Sequence, residues 1–211
     1  MRPYLRVANV LEARIDTSDL MAMNFTDVEF ERYQLLRGDI LLNEGQSLEL
    51  VGRPALYKDE APGTCFQNTL VRFRATEAVV PEYALAVFRA YLHQGRFQRI
   101  ARWTTNIAHL GAGRFAALEF PLPPRAEQLR IVAELGRLES LIDALNKEVS
   151  RSLRRADRLR QSILKRAFEG KLVPQDPSDE PASALLERIR AEREAAPRQA
   201  KRRGRPRAEA R

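Results

Sequence analysis

The 211-residue, 24.1 kDa chain is long enough for one sizeable domain with an extension. Its composition, 44% hydrophobic and 30% charged, supplies both a core and a wet surface. One cysteine and two histidines exclude an internal disulfide framework and a Cys/His zinc site, and the net charge is +8. No apolar run reaches the roughly 20 residues of a membrane span. The opening residues Met1 to Arg6 carry no signal-peptide pattern, so a reducing cytoplasm is the expected location.

Residues 1–124 read as a mixed α+β domain. Tyr4 to Val10 alternates as a strand would, and Thr26 with Glu29 forms a capping box that opens a short helix toward Leu36. Ile40 to Leu42 is a short strand, Asn43 to Ser47 a loop, and Gly52 to Tyr57 and Thr69 to Arg74 further strands. In the last of these, Val71, Phe73 and Ala75 alternate with Arg72 and Arg74, the period of a half-buried strand. Pro81 suits the first turn of a helix, with Leu85, Phe88 and Leu92 following at helical spacing. Arg102 to Gly113 breaks that spacing and reads as a polar loop. Leu118, Phe120 and Leu122, among prolines 121, 123 and 124, read as an edge strand that ends abruptly.

After Pro124 the pattern changes. Ala126 to Phe168 has no proline and one glycine, Gly136. Apolar residues recur at Ile131, Leu135, Leu138, Ile142, Leu145 and Val149, and the register continues through Ser152, Ala156, Leu159 and Ile163. Steps of four and three make this the seam of a coiled coil, which needs a partner helix from its own chain or another. Gly170 is a helix stop, residues 171–181 are a connector, and Ala182 to Ala196 is a short amphipathic helix with Leu185, Leu186 and Ile189 inside. The division expected is therefore 1–124, 125–170, 171–196 and a basic tail, 197–211.

The tail holds 7 Arg and Lys against 1 acidic residue, whereas residues 1–124 balance 14 against 14. It reads either as a disordered solubilising end or as a polyanion-binding arm. Its Arg203-Gly204-Arg205-Pro206-Arg207 is similar to an AT-hook core, in which a Gly-Arg-Pro turn enters the narrow minor groove of A·T-rich DNA.

Catalytic motifs are absent. There is no P-loop, and Leu122-Pro123-Pro124-Arg125 lacks the polar and aromatic ends of an amino-methylating pocket. Glu169-Gly170-Lys171 resembles the Glu-x-Lys of a metal-dependent nuclease but has no strand-borne aspartate upstream, so it reads as a helix cap. His93 reads as a helix-surface residue, His109 as a loop residue and Cys65 as a small buried side chain.

Several segments, in order, carry a family resemblance. They are Tyr4 to Val10, Gly38 to Leu42, Glu49 to Arg53, Phe66 to Asn68, and Phe120 to Pro124 followed by Glu127-Gln128 and Ile131-Val132. Phe168 to Pro177, then Asp179 to Ala182, complete the set. Together they resemble the specificity (S) subunit of type I restriction–modification systems. The resemblance implies a target-recognition domain, a long coiled-coil spacer helix and a short C-terminal helix, with no catalysis of its own. It implies double-stranded DNA, methyltransferase (M) subunits and a restriction (R) subunit as partners. S-adenosylmethionine, ATP and Mg would belong to those subunits, and no cofactor or metal to this chain.

The family's full subunit has two recognition domains and two spacer helices, where this chain has one of each, and family recognition domains begin well upstream of Tyr4. The expectation is a half-subunit, a downstream piece of a split or truncated gene, or a misplaced start. A homodimer, or pairing with another S fragment, would cover the seam. Arg102, Thr104, Thr105, Asn106 and His109 are the candidate DNA-reading residues, with Gln46, Ser47 and Asn68 behind them and Arg203, Arg205 and Arg207 in the tail. Trp103 is expected to anchor its loop. Two rivals stand beside this reading: a coiled-coil adaptor that never touches DNA, which the neutral domain would suit, and a nuclease fragment around Glu169. A truncated, non-functional fragment is the further alternative. The DNA target is not legible.

Overall fold

The computed structural model describes residues 1–104, 106–174 and 176–195. They divide into two compact units, Met1–Ala144 and Leu145–Arg211. The first therefore takes in the opening turns of the long helix as well as the mixed domain.

In the first unit β1 (Arg2–Leu5) is followed by a 3-10 turn (Val7–Asn9), β2 (Val10–Leu11), β3 (Arg14–Ile15), β4 (Met21–Met23) and α1 (Asp27–Tyr33). The strand expected over Tyr4 to Val10 stops at Leu5. Asn9 folds the chain back there, its Oδ1 accepting from Arg6 N at 3.0 Å and its Nδ2 donating to Asp16 O and Asp19 O at 2.9 and 3.0 Å. The Thr26 capping box forms as read, with Glu29 N donating to Thr26 Oγ1 and Thr26 N to Glu29 Oε2.

Next come β5 (Ile40–Asn43), β6 (Gly45–Gln46), β7 (Pro54–Leu56), β8 (Cys65–Phe66) and β9 (Leu70–Phe73). The central sheet runs β7–β5–β9, all antiparallel. β5 is buried on both faces, and its period of two shares it between two apolar clusters. Ile40 and Leu42 join Val71, Val80, Phe88 and Phe97, whereas Leu41 joins Leu5, Val10, Ala55 and Tyr57. Asp39, at the mouth of β5, is buried and held by Arg74 through two 2.7 Å bonds. β1 pairs in parallel with β8, opposing Tyr4 to Cys65, and Cys65 is fully buried. The strand read from Gly52 begins only at Pro54. Gly52 has φ +77°, and a Cβ there would lie 2.4 Å from the Phe97 ring, so the contact admits only glycine.

α2 (Pro81–His93) starts on proline as expected, and α3 (Arg96–Ile100) follows after Gly95. Residues 102–113, expected as a loop, instead form β10 (Arg102–Thr104), β11 (Ile107–His109) and the start of α4 (Ala112–Ala116). The reason is burial: Ala108 and Leu110 are fully covered by the core, the ladder satisfies the backbone of Ala108, and Leu110 N donates to Glu44 O at 2.7 Å. Leu118 to Pro124, expected as an edge strand, makes none. Prolines 121, 123 and 124 have no N–H to lend to a ladder, and the segment is held instead by Leu118 and Phe120 against the core and by Tyr83 Oη donating to Pro121 O at 3.1 Å.

α5 (Arg125–Phe168) is one unbroken helix. Its first turns dock on the domain through Ile131, Val132 and the fully buried Gln128. In the second unit α5 ends where Gly170 takes φ +67° and Lys171 N donates to Arg166 O at 2.8 Å, the cap expected around Glu169. α6 (Ala182–Ala195) follows. Ile189 is half-buried, but Leu185 and Leu186, expected inside, are left exposed by the described residues.

Candidate nucleic-acid interface

The hairpin β10–β11 and the short strand β6, expected as loop, form one antiparallel sheet in the order β10–β11–β6. Arg102 opposes His109, Trp103 opposes Ala108 and Thr104 opposes Ile107. On the other side Ala108 opposes Gln46 and His109 opposes Gly45. Directly opposed residues share a face of the sheet. Arg102, Thr104, Ile107 and His109 therefore lie on one face, and Trp103 and Gln46 on the face of Ala108.

This splits the residues picked from sequence. Arg102, Thr104 and His109 come together, with exposed Asn106 in the turn between the strands. Gln46 falls on the reverse face. Trp103, expected to anchor the segment, is 56% exposed; the anchor is Ala108, fully buried. Thr105 lies outside the described residues, as do Arg203, Arg205 and Arg207.

His109 is fixed on three sides. Its Nδ1 lies 3.1 Å from Glu44 Oε2, where the carboxylate accepts the ring proton. Arg114 donates to its backbone oxygen at 2.7 Å, and its ring lies over Gly45, where a Cβ would come within 3.5 Å. Glu44 is in turn set by its backbone, which accepts from Leu110 N at 2.7 Å and donates to Thr69 O at 2.9 Å. Thr104 Oγ1 donates to Ile107 O at 3.3 Å and tightens the hairpin. Among the described residues Arg102 has no carboxylate partner, so its guanidinium is free to meet an acceptor.

Glu44 also lines a groove of about 410 Å³ with Arg32, Tyr33, Phe66, Asn68 and Arg72. Asn68 is exposed at its edge. Arg72 reaches across it, donating to Gln34 O at 3.0 Å and lying 5.0 Å above the Phe66 ring. Burial, helped by neighbouring Arg74, pushes the Arg72 guanidinium below its ordinary value. Ser47 is half-buried, and its carbonyl closes a turn by accepting from Leu50 N and Val51 N. Sequence reasoning missed Arg32, Glu44, Arg72 and Arg114: Glu44 and Arg72 act through partners 65 and 38 positions away, and Arg32 and Arg114 join the site only once the groove and the hairpin have formed. An open face of Arg, Thr and Asn beside a groove holding Arg and Asn can donate to phosphate and read base edges.

The apolar seam divides as well. Ile131 packs on the domain core. From Leu135, 39% exposed, through Leu138, Ile142, Leu145 and Val149 to Leu159, 61% exposed, and Ile163, the seam is left uncovered by the described residues. Among the described residues no group of three His, Cys, Asp or Glu side chains is placed to hold a metal ion. None of the described helices is long and apolar enough to cross a membrane.

No protein-family model matches the sequence. Curated relatives do. The chain is 30% identical over 203 residues to the type I restriction enzyme EcoKI specificity subunit of Escherichia coli K12, covering 92% of this chain and 44% of that one. It is 30% identical over 200 residues to the StySPI specificity subunit of Salmonella potsdam, covering 90% and 43%. The EcoBI specificity subunit of Escherichia coli is 28% identical over 212 residues, covering 90% and 41%. The chain thus spans less than half the length of these relatives. A solved structure concerned with complex assembly and conformational transition of the type I R-M system superposes with a TM-score of 0.57 at 20% identity. It covers 81% of this chain and 39% of that one, a likeness of fold.

Proposed function

We propose that this chain, related over nine-tenths of its length to the specificity subunits of type I restriction enzymes, reads DNA sequence for such a complex and scaffolds its methyltransferase and restriction subunits. The observation that supports this most directly is the 30% identity over 203 residues, which takes in nearly the whole chain. The open face of Arg102, Thr104 and Asn106 supports it from the side of chemistry: arginine suits guanine or phosphate, and asparagine suits adenine. In this reading the chain selects the site, and catalysis lies elsewhere. S-adenosylmethionine, ATP and Mg are held by the partner subunits, and the complex works in the cytoplasm.

The uncovered seam of α5 pairs with a second copy or with another specificity fragment. Two copies related by a two-fold axis would present identical readers, and the target would be an interrupted palindrome. The basic tail, with Arg203, Arg205 and Arg207, adds contacts to DNA that do not depend on sequence.

The test is co-expression with type I methyltransferase subunits, co-purification, and mapping of methylated adenines. The expected result is a stable complex that methylates one defined sequence, lost when this chain is omitted. A complex that forms but methylates the same sites without this chain would leave the chain as a coiled-coil adaptor. No complex at all would mark it as an inactive fragment.

A further inference from the structure

The charge of α5 is polarised along its length. Residues 125–150 hold 4 basic and 5 acidic side chains, whereas residues 151–168 hold 7 basic and a single acid, Asp157. The whole of that basic half is exposed. Arg151, Arg154, Arg158 and Lys165 follow one another at steps of three, four and seven, so they form one stripe along the helix. In the heptad register of the seam they occupy the outward positions, away from Ala156, Leu159 and Ile163. A helix paired through its seam would still present them. Arg151 meets Glu148 at 3.3 Å and Lys165 meets Glu169 at 3.8 Å, but Arg154 and Arg158 have no carboxylate partner among the described residues, nor do Arg155 and Arg160 on the flanks.

From this we infer that the outward stripe of α5 grips the phosphate backbone of duplex DNA without regard to sequence. The inference rests on the reading of the chain as a DNA-engaging subunit and adds to it a second contact surface. A linear array suits a linear polyanion. From Arg151 to Lys165 the stripe extends about 21 Å at about 1.5 Å per residue, and duplex DNA presents about one phosphate per 1.7 Å of axis. Six of the seven basic residues are arginines, whose planar donors match phosphate oxygens in pairs. An excess of six charges over 18 residues is more than the near-neutral first half of a second helix could offset in an antiparallel pair. A polyanion offsets it fully.

The test uses the full chain and a duplex lacking the methylated site, with binding followed by anisotropy across a salt series. The triple variant Arg151→Gln, Arg154→Gln, Arg158→Gln keeps a good helix former at each exposed position. Its salt slope should fall by about 3, since each phosphate that is no longer neutralised lowers the slope by about 0.9. The matching lysine triple variant should retain most of the wild-type affinity and slope, because it keeps the charge. Equal affinity and slope in the glutamine variant overturn the inference. So does a glutamine variant that loses methyltransferase subunits on co-purification while its DNA binding is unchanged, since the stripe would then dock protein. The tail is present in every variant and cancels from the comparison. Methylation mapping of the same variants scores site selection separately, so the two readings can fail independently.

Discussion

Gln128 Oε1 accepts the Val80 amide at 2.8 Å, and its Nε2 donates to Ala78 O and Pro123 O at 2.9 Å each. One fully buried side chain thereby joins the residue before α2, the proline exit from the domain and the first turn of α5. Gln128→Leu keeps the volume but leaves the buried Val80 amide without its acceptor and two part-buried carbonyls without their donor. It should cost about 2–4 kcal/mol, read as a lower urea midpoint with little change in slope. A wild-type midpoint would mean that the three bonds are replaced by water at no cost.

Glu12, in the turn between β2 and β3, contacts His93 Nε2 at 2.8 Å and Arg89 Nε at 3.4 Å, and Arg89 continues to Glu139 on α5 at 3.0 Å. Burial pushes the Glu12 carboxyl up, but the bonds and charges of His93 and Arg89 outweigh it and hold the group below its ordinary value of 4.5. A depressed carboxyl contributes stability that is present above the unfolded-state value and lost as pH falls through the folded-state one. The melting temperature of Glu12→Gln should therefore lie below wild type at about pH 6 and approach it in acid. A gap that does not close in acid would assign the effect to packing.

The hairpin makes a prediction that depends on which face a residue occupies. If Arg102 and Asn106 read bases, Arg102→Ala and Asn106→Ala should each weaken site-specific binding by about 1–3 kcal/mol. Gln46→Ala, on the reverse face, should change it little. Competition between cognate and scrambled duplexes separates the roles: equal loss on both would make the residue a phosphate contact. A larger effect at Gln46 than at Arg102 would reverse the orientation assigned to the sheet.

Leu138 is 39% exposed, near the start of the uncovered seam. Leu138→Asp should leave the domain folded but weaken association by about 2–5 kcal/mol, because it places a charge in an apolar interface. Light scattering over a dilution series would report this as a shift toward monomer. If wild type and variant have the same mass at every concentration, the seam is not a self-association surface.

What could be read from sequence was what depends on near neighbours. The Thr26–Glu29 box, the proline start of α2 and the extent of α5 each follow from residues within a few positions of one another. The hairpin was not legible, because β11 is held by β6, some 62 positions away at Gln46, and by a core that forms only on folding. His109 and Glu44 are 65 positions apart, and Arg72 reaches Gln34 across 38. Gln128 entered the sequence reading only as part of the segment after Pro124, and nothing local marked the three backbone groups it bonds. The polar composition after Arg102 pointed to that segment as a candidate interface. Its orientation, and the groove beside it, came only from long-range pairing.

The burial of Cys65 in β8, between the β1 ladder and the bridge to Gln34, equips the protein with an internal clock for its own opening. Burial also pushes its thiol above the ordinary value, so in the closed state it is both unreachable and protonated. Among the residues of the chain it has no competitor, since it is the sole cysteine. A thiol reagent added to the native protein would thus be consumed only as fast as the β1–β8 layer separates. The same reading, taken with and without DNA, would report whether DNA slows that opening.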